Sequence, residues 1–199
     1  MAAVMSEAAS IDDVQHFKSI PWCAKHLATP DLVLMRSWGR TLGQGLRDSL
    51  FAVTLNTPYT VASILAFYPD PDASAGPAGP QSPPVEEIKT LISLGPLISG
   101  FAGVCHGGIV MAILDEVLST CLHVNRQRGV IKARNTKLMT AYLNTTFLRP
   151  VEVPGTYLVR SRLQKVEGRK AFGTVWIEDE NGAKLATADG LFVMIREKL

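Results

Sequence analysis

From Val110 to Leu122 the apolar positions recur three and four residues apart (Val110, Ile113, Val117, Leu118, Cys121), the period of one face of an α-helix. Met111, Ala112 and Leu114 fill much of the remaining circumference. A helix apolar nearly all round is predicted to be buried. Strand-like patterns lie on both sides of it. "YTVASILAFY", from Tyr59, is rich in β-branched and aromatic residues, and "VEEIKTLISLG" reads as a second strand stopped by Gly95 and Pro96. Four more runs follow: "TKLMTAYLNTTFLRP", "GTYLVRSRLQKV", "KAFGTVWIEDE" and "AKLATADGLFVMI". Pro150 to Gly155, "EGR" and Asn181-Gly182 separate them, the last being a strong hairpin signal. The expected layout is α+β: one long helix covering one face of a sheet that ends in four consecutive antiparallel strands.

Two segments stand apart. Residues 1–57 show weak helical periodicity around "RTLGQGLRDSLFAVTL", with Trp22 and Trp38 supplying large apolar surfaces, and are expected to form an arm laid over a domain at 58–199. "PDPDASAGPAGPQSPP", residues 69–84, is expected to be a surface loop, because its prolines suit neither a helix nor a central strand.

A hydrophobic fraction of 47% against 19% charged residues argues for a globular chain rather than a disordered one. The net charge of +2 is too balanced to suggest nucleic acid, although local clusters still suit anions. Cys23, Cys105 and Cys121 lack CxxC spacing and the four histidines lack a ligand pattern, so reduced thiols and no metal are expected. No P-loop or GxGxxG points to ATP or NAD. Glu7, Asp12 and Asp13 stand where a leader peptide would be basic, and no apolar run is read as approaching the roughly 20 residues of a bilayer span. The expectation is a cytoplasmic protein.

The chemistry concentrates in "GVCHGGIVMAILDEVLSTCL", Gly103 to Leu122. A helix start presents unpaired N–H groups and the positive end of a dipole, which suit an anion or a developing oxyanion. Gly107 and Gly108, next to His106, let a ligand approach that backbone; the same triplet also serves as a plain tight turn into the helix. Asp115 and Glu116 interrupt the apolar helix, and a carboxylate kept there is either paired or functional. Residue type alone does not choose between them. Gly107 and Asp115 are eight residues apart, about 12 Å along one helix axis, too far to act on one carbonyl carbon. Their cooperation therefore requires two antiparallel copies of the helix in a twofold dimer.

"HGGIVMAILDE", preceded by "SLGPLISGFAGVC" and followed by "MTAYLNTTFLRP", resembles the PaaI-like branch of the hotdog-fold acyl-CoA thioesterases, including the C-terminal-modulator-protein-like thioesterases and related fungal proteins. The likeness runs roughly from Tyr59 to Ile195, and is looser over the first 57 residues. It implies a hotdog fold, a sheet wrapped around a central helix, with two such units paired. It also implies that Asp115 is the catalytic acid, that the Gly107 N–H beside His106 polarises the thioester carbonyl, and that Thr140 helps position water. Many relatives have Asn six residues before the motif histidine, where this chain has Gly100; the adjacent Ser99 is expected to point elsewhere. Strand alternation would put Thr140 on one face with Tyr142, Asn144 and Thr146.

On the substrate side, "RQRGVIKARNTK" carries Arg126, Arg128, Lys132, Arg134 and Lys137 without an acid among them. With Gly108 at the helix start, this loop is the candidate binder for the nucleotide end of coenzyme A, part of the substrate rather than a cofactor, or for an acyl carrier protein; a solvated basic loop is the plainer alternative. Met111, Ala112, Leu118 and Tyr142 are candidates for the pocket wall. The expected activity is acyl thioester hydrolysis by a homodimer or a dimer of dimers. The alternatives are dehydration, isomerisation or cyclisation of a polyketide-like intermediate at the same site, or acyl binding without catalysis.

Overall fold

A computed structural model describes residues 8–73, 83–132 and 136–196. The elements run α1 (Ile11–Lys18), α2 (Pro21–Leu27), β1 (Leu32–Met35), β2 (Val61–Pro69), β3 (Glu87–Leu94), β4 (Ser99–Phe101), β5 (Val104–Cys105), α3 (Gly107–Gln127), β6 (Thr136–Phe147), β7 (Gly155–Glu167), β8 (Lys170–Glu178) and β9 (Lys184–Arg196). Seven strands form one antiparallel sheet in the order β1-β2-β3-β7-β8-β9-β6, and β4 and β5 make a small ribbon leading into α3. The sheet packs around α3 in the α+β hotdog arrangement. The four later strands are not one consecutive meander: β7, β8 and β9 are, but β6 pairs with β9 at the far edge, because α3 carries the chain across the sheet before β6 begins.

Local chemistry fixes both ends of α3. The His106 Nδ1 accepts the Gly108 N–H at 3.0 Å, satisfying one of the first-turn donors. At the other end Gly129 adopts φ +76° and its N–H reaches the Arg126 carbonyl, a left-handed stop that glycine takes without strain. At 21 residues α3 is long and apolar enough to cross a membrane by length and composition, contrary to the sequence expectation. Its apolar character is explained by the sheet: Val110, Ile113, Leu114, Val117, Leu118 and Leu122 are buried against the inner residues of the strands.

The central strands are apolar on both faces because both are covered. Ile64 of β2 and Ile92 of β3 face the α3 core, whereas Leu65, Phe67, Leu91 and Leu158 face outward under Phe17 of α1 and Cys23 of α2. The described part of residues 1–57 therefore supplies a helical cover, the edge strand β1, and a segment around Trp38 to Leu55 that crosses to α3. Residues 74–82 of the 69–84 loop lie outside the described residues. At its flanks Arg128 binds both Asp72 oxygens and the Pro83 carbonyl, and the buried Asn125 amide donates to and accepts from the Val85 backbone. The Asn181-Gly182 turn joins β8 to β9, with Gly182 at φ +79° and the Asp179 carboxylate accepting two backbone N–H groups.

The helix approaches the sheet most closely at Leu118, which fills the space left by Gly173 and Gly190. A Cβ at either glycine would come within 2.6 Å of Leu118, and at Gly173 also within 2.8 Å of the Arg162 carbonyl. A side-chain methyl can move aside more easily than a strand backbone. Gly173→Ala is thus expected to destabilise by about 1–3 kcal/mol, the usual cost of overpacking, and Gly190→Ala by less. Urea unfolding of the two variants checks the order; equal stability would contradict this account of the contact.

Candidate active site

Asp115 and Glu116, adjacent in sequence, have different surroundings. Thr140 Oγ1 donates to Asp115 Oδ1 at 2.9 Å. Glu116 Oε1 instead accepts the Gly39 N–H at 2.7 Å and the Ser37 hydroxyl at 3.1 Å. A Cβ on Gly39 would meet the Glu116 carboxylate at 2.6 Å, so the missing side chain is what permits the contact. Glu116 thus fastens the N-terminal segment to α3, while Asp115 faces the β6 side. Burial raises both carboxyls above their ordinary values, and the hydrogen bonds from Thr140 to Asp115 and from Gly39 and Ser37 to Glu116 partly oppose it.

Thr140 reaches Asp115 because β6 carries a bulge. Thr140 pairs with Phe192 on the helix side of the sheet, then Tyr142 pairs with Leu191, leaving Ala141 as the extra residue. The bulge reverses the alternation: Leu143 returns to the helix side beside Gly190 and Leu118, whereas Tyr142, Asn144 and Thr146 share the other face. The expected common face for Thr140, Tyr142, Asn144 and Thr146 is therefore incorrect, since uniform alternation holds only in a regular strand.

The helix start forms a separate group. Gly108 spends its N–H on His106, and because Nδ1 accepts, the ring proton of neutral His106 sits on Nε2. The Gly107 N–H has no acceptor among the described residues. Gly107 faces Phe147 and opens onto a cleft of about 560 Å³ that also meets Phe101, Arg149 and His106. None of Phe147, Phe101 or Arg149 carries a sequence signal that separates it from an ordinary strand or loop residue. Gly100 packs on His106, where a Cβ would lie 3.0 Å from His106 Cα. Ser99 turns its hydroxyl to the Pro96 carbonyl, away from the cleft.

A second chamber, of about 200 Å³, lies beside Asp115 and is walled by Ala112, Leu50, Phe51 and Gly39. Of the proposed wall residues Ala112 is here, Leu118 is in the core, Tyr142 is on the opposite sheet face and Met111 is exposed. In the basic loop, Arg126 donates to the Thr136 carbonyl at 2.6 Å and Arg128 is paired with Asp72, so both have structural partners. Lys132 is exposed, Lys137 lies at the start of β6, and Arg134 is outside the described residues. One copy of the chain thus holds Asp115 with Thr140 in one place and His106 with Gly107 in another.

Residues 102–186 match the family described as Thioesterase superfamily. Verlamelin biosynthesis protein B of Lecanicillium sp is 27% identical over 173 residues, covering 76% of this chain and 74% of that protein. The acyl-coenzyme A thioesterase THEM4 of Mus musculus is 34% identical over 99 residues, 49% of this chain and 39% of THEM4, so the match spans well under half of that relative's length. A solved thioesterase superfamily protein superposes with a TM-score of 0.46 at 28% identity, over 54% of this chain and 51% of the other.

The raised Glu116 carboxyl has a stability consequence. Between its ordinary value and the raised one, the folded chain holds a proton that the unfolded chain has lost, so stability falls as pH rises through that window. Glu116→Gln keeps an oxygen acceptor for Ser37 and Gly39 and cannot ionise. Its stability should decline less than that of the wild type between acid and neutral pH. Denaturant midpoints across that range measure this, and a steeper decline in the variant would refute the burial argument.

Proposed function

We propose that this chain, whose residues 102–186 are a Thioesterase superfamily domain of hotdog fold, hydrolyses acyl-CoA thioesters at sites shared between two copies. The observation that carries the reading is the Thr140 to Asp115 hydrogen bond, which holds a desolvated carboxylate at the side of α3 next to the open edge of the sheet. The acyl-coenzyme A thioesterase relatives support the same chemistry.

In this reading the Gly107 N–H of one copy binds the thioester oxygen as it becomes anionic. Asp115 of the other copy, as carboxylate, takes a proton from water that attacks the carbonyl carbon, or attacks that carbon itself to give a mixed anhydride that water hydrolyses after the thiolate has left; Thr140 orients the acid and the water. Collapse of the tetrahedral species breaks the C–S bond, and the thiolate leaves with a proton. The products are a carboxylic acid and a thiol. Dimerisation is supported by β6, a 12-residue edge strand with Met139 and Tyr142 half-exposed, near the exposed Met111 of α3. Lys132, with Arg134 two residues further along the sequence, is our candidate for the nucleotide phosphates or for an acidic carrier protein, whereas Lys137 lines a chamber around Ser119 and His123. The free thiols Cys23, Cys105 and Cys121 are in keeping with a cytoplasmic setting.

Asp115→Asn should lower kcat by about a hundredfold or more, read as thiol release from a panel of acyl-CoAs. A fully active variant would remove Asp115 from the mechanism. The raised Asp115 carboxyl puts the acid limb of the pH profile above that of an ordinary aspartate, with activity lost as pH falls and the carboxylate is protonated. Thr140→Val removes the hydrogen bond that favours the charged form, so its limb should move to still higher pH; a shift to lower pH would be wrong for this geometry.

The shared site has its own test. Gly107 is the first residue of α3, where proline is tolerated, and His106 at φ −61°, ψ 131° already has the backbone that a residue before proline needs. Gly107→Pro therefore deletes the N–H with little change of fold, and should cost about 10²–10³ in kcat. Refolding this variant together with Asp115→Asn produces mixed dimers with one intact site each, so activity should reappear on mixing. If mixing restores nothing although mixed dimers form, the site is not shared.

A further inference from the structure

Asp115, Ser119, His123 and Arg126 fall four, four and three residues apart, one stripe along α3. Beyond the small chamber at Asp115 lies a larger one of about 530 Å³, and Asp48 and Glu116 belong to both linings. Both walls combine apolar and charged residues. Next to Asp115 they are Ala112, Leu50 and Phe51 with the carboxyl residues Asp48 and Glu116; farther on they are Ser119, His123, Arg47, Arg126, Lys137 and Leu138, with Trp38 stacked on the His123 ring at 4.3 Å. The His123 Nδ1 lies 3.0 Å from the Ser119 carbonyl, which only accepts, so Nδ1 carries the proton and Nε2 is left as an acceptor. Burial lowers the His123 pKa, which keeps the ring neutral. His123 lies about 12 Å along the helix from Asp115.

We propose that the polar chamber around Ser119 and His123 receives the far end of the acyl group, and that the preferred substrate is a medium-length acyl thioester bearing a hydroxyl remote from the thioester. This rests on the hydrolytic reading above. In this reading the methylenes run along Ala112, Leu50 and Phe51 of the first chamber, and a hydroxyl in the second donates to His123 Nε2 and accepts from Ser119 or arginine. An unsubstituted chain would strip water from these groups without replacing their hydrogen bonds, and sites built to bind a hydroxyl discriminate strongly against analogues lacking it. Glu116 supports the chamber from the other side, because its bonds to Ser37 and Gly39 hold the segment carrying Trp38 and Phe51 in place.

The test compares octanoyl-CoA, omega-hydroxyoctanoyl-CoA and suberoyl-CoA by thiol release in the wild type, His123→Phe and Ser119→Ala. His123→Phe keeps an aromatic ring against Trp38, and Ser119→Ala guards against a folding defect in the first variant. We expect kcat/KM for the hydroxylated thioester to exceed that for octanoyl-CoA by about tenfold or more, and the ratio to approach one in both variants. Equal or better use of octanoyl-CoA or suberoyl-CoA, or a preference surviving both substitutions, would overturn the proposal. Calorimetric binding of the three thioesters to Asp115→Asn reads the preference without turnover. Preferential binding with no hydrolysis of any thioester by the wild type would sink the hydrolytic reading and leave the chamber, whereas hydrolysis without preference would sink only the chamber. Free coenzyme A is the remaining control: if His123→Phe weakens its binding, the chamber holds the nucleotide and the proposal fails.

Discussion

How closely α3 lies to the sheet determines what the rest of the chain does. Leu118 enters the gap left by Gly173 on β8 and Gly190 on β9, and larger residues there would hold the helix away from the strands. Asp115 lies one turn earlier and points past the last covered strand, where β6 is the open edge. Close packing on one side and an uncovered edge on the other give a carboxylate that is desolvated but reachable. Replacing water around a charge by one hydrogen bond costs free energy, which is reflected in the raised Asp115 carboxyl.

The two neighbouring acids show how different partners separate one residue type into two roles. Glu116 has a backbone N–H and a hydroxyl as donors and holds the N-terminal segment; Asp115 has a single hydroxyl donor, and both residues line the small chamber. Removing one partner from a buried carboxylate leaves an uncompensated charge, so each arrangement constrains the other elements. The Gly39 backbone must come close to Glu116, and the β6 bulge must turn Thr140 toward Asp115. The N-terminal segment is consequently part of the chamber wall as well as part of the fold.

Periodicity made the helix legible because it buries a continuous face, and β-branched and apolar runs made the six strands legible, β6 included although all its residues are half-buried or exposed. It missed α1, α2 and β1, which are short and amphipathic only against a sheet face that the sequence does not display. It also missed the bulge: Ala141 looks like any strand residue, yet it reverses every side chain after it. The His106-Gly107-Gly108 start was readable from glycine content and helix physics, and the choice of Asp115 over Glu116 came from the resemblance alone. The geometry that separates them depends on Ser37 and Gly39, almost eighty residues away in sequence and without a pattern. The basic loop looked like a binding surface because charge alone does not reveal that Arg126 and Arg128 have internal partners.

A rigid helix fixes Gly107 and Asp115 about 12 Å apart along its axis, so the proposed site, which joins them, needs a second copy. Bending α3 would not help, because its centre is locked against Gly173 and Gly190 and its ends are held by the His106 cap and by Asn125. Rigidity therefore carries the argument for a second copy. A twofold axis passing between two antiparallel α3 helices would place each Gly107 opposite the other copy's Asp115 without deforming either. In the proposed mechanism the same rigidity would separate the tasks within the site: the helix start would supply a fixed donor, the middle the acid, and the stripe beyond it the contacts to the distal part of the acyl group. Acid position and chain recognition are then coupled through one element, so a shift of α3 against the sheet would disturb both together.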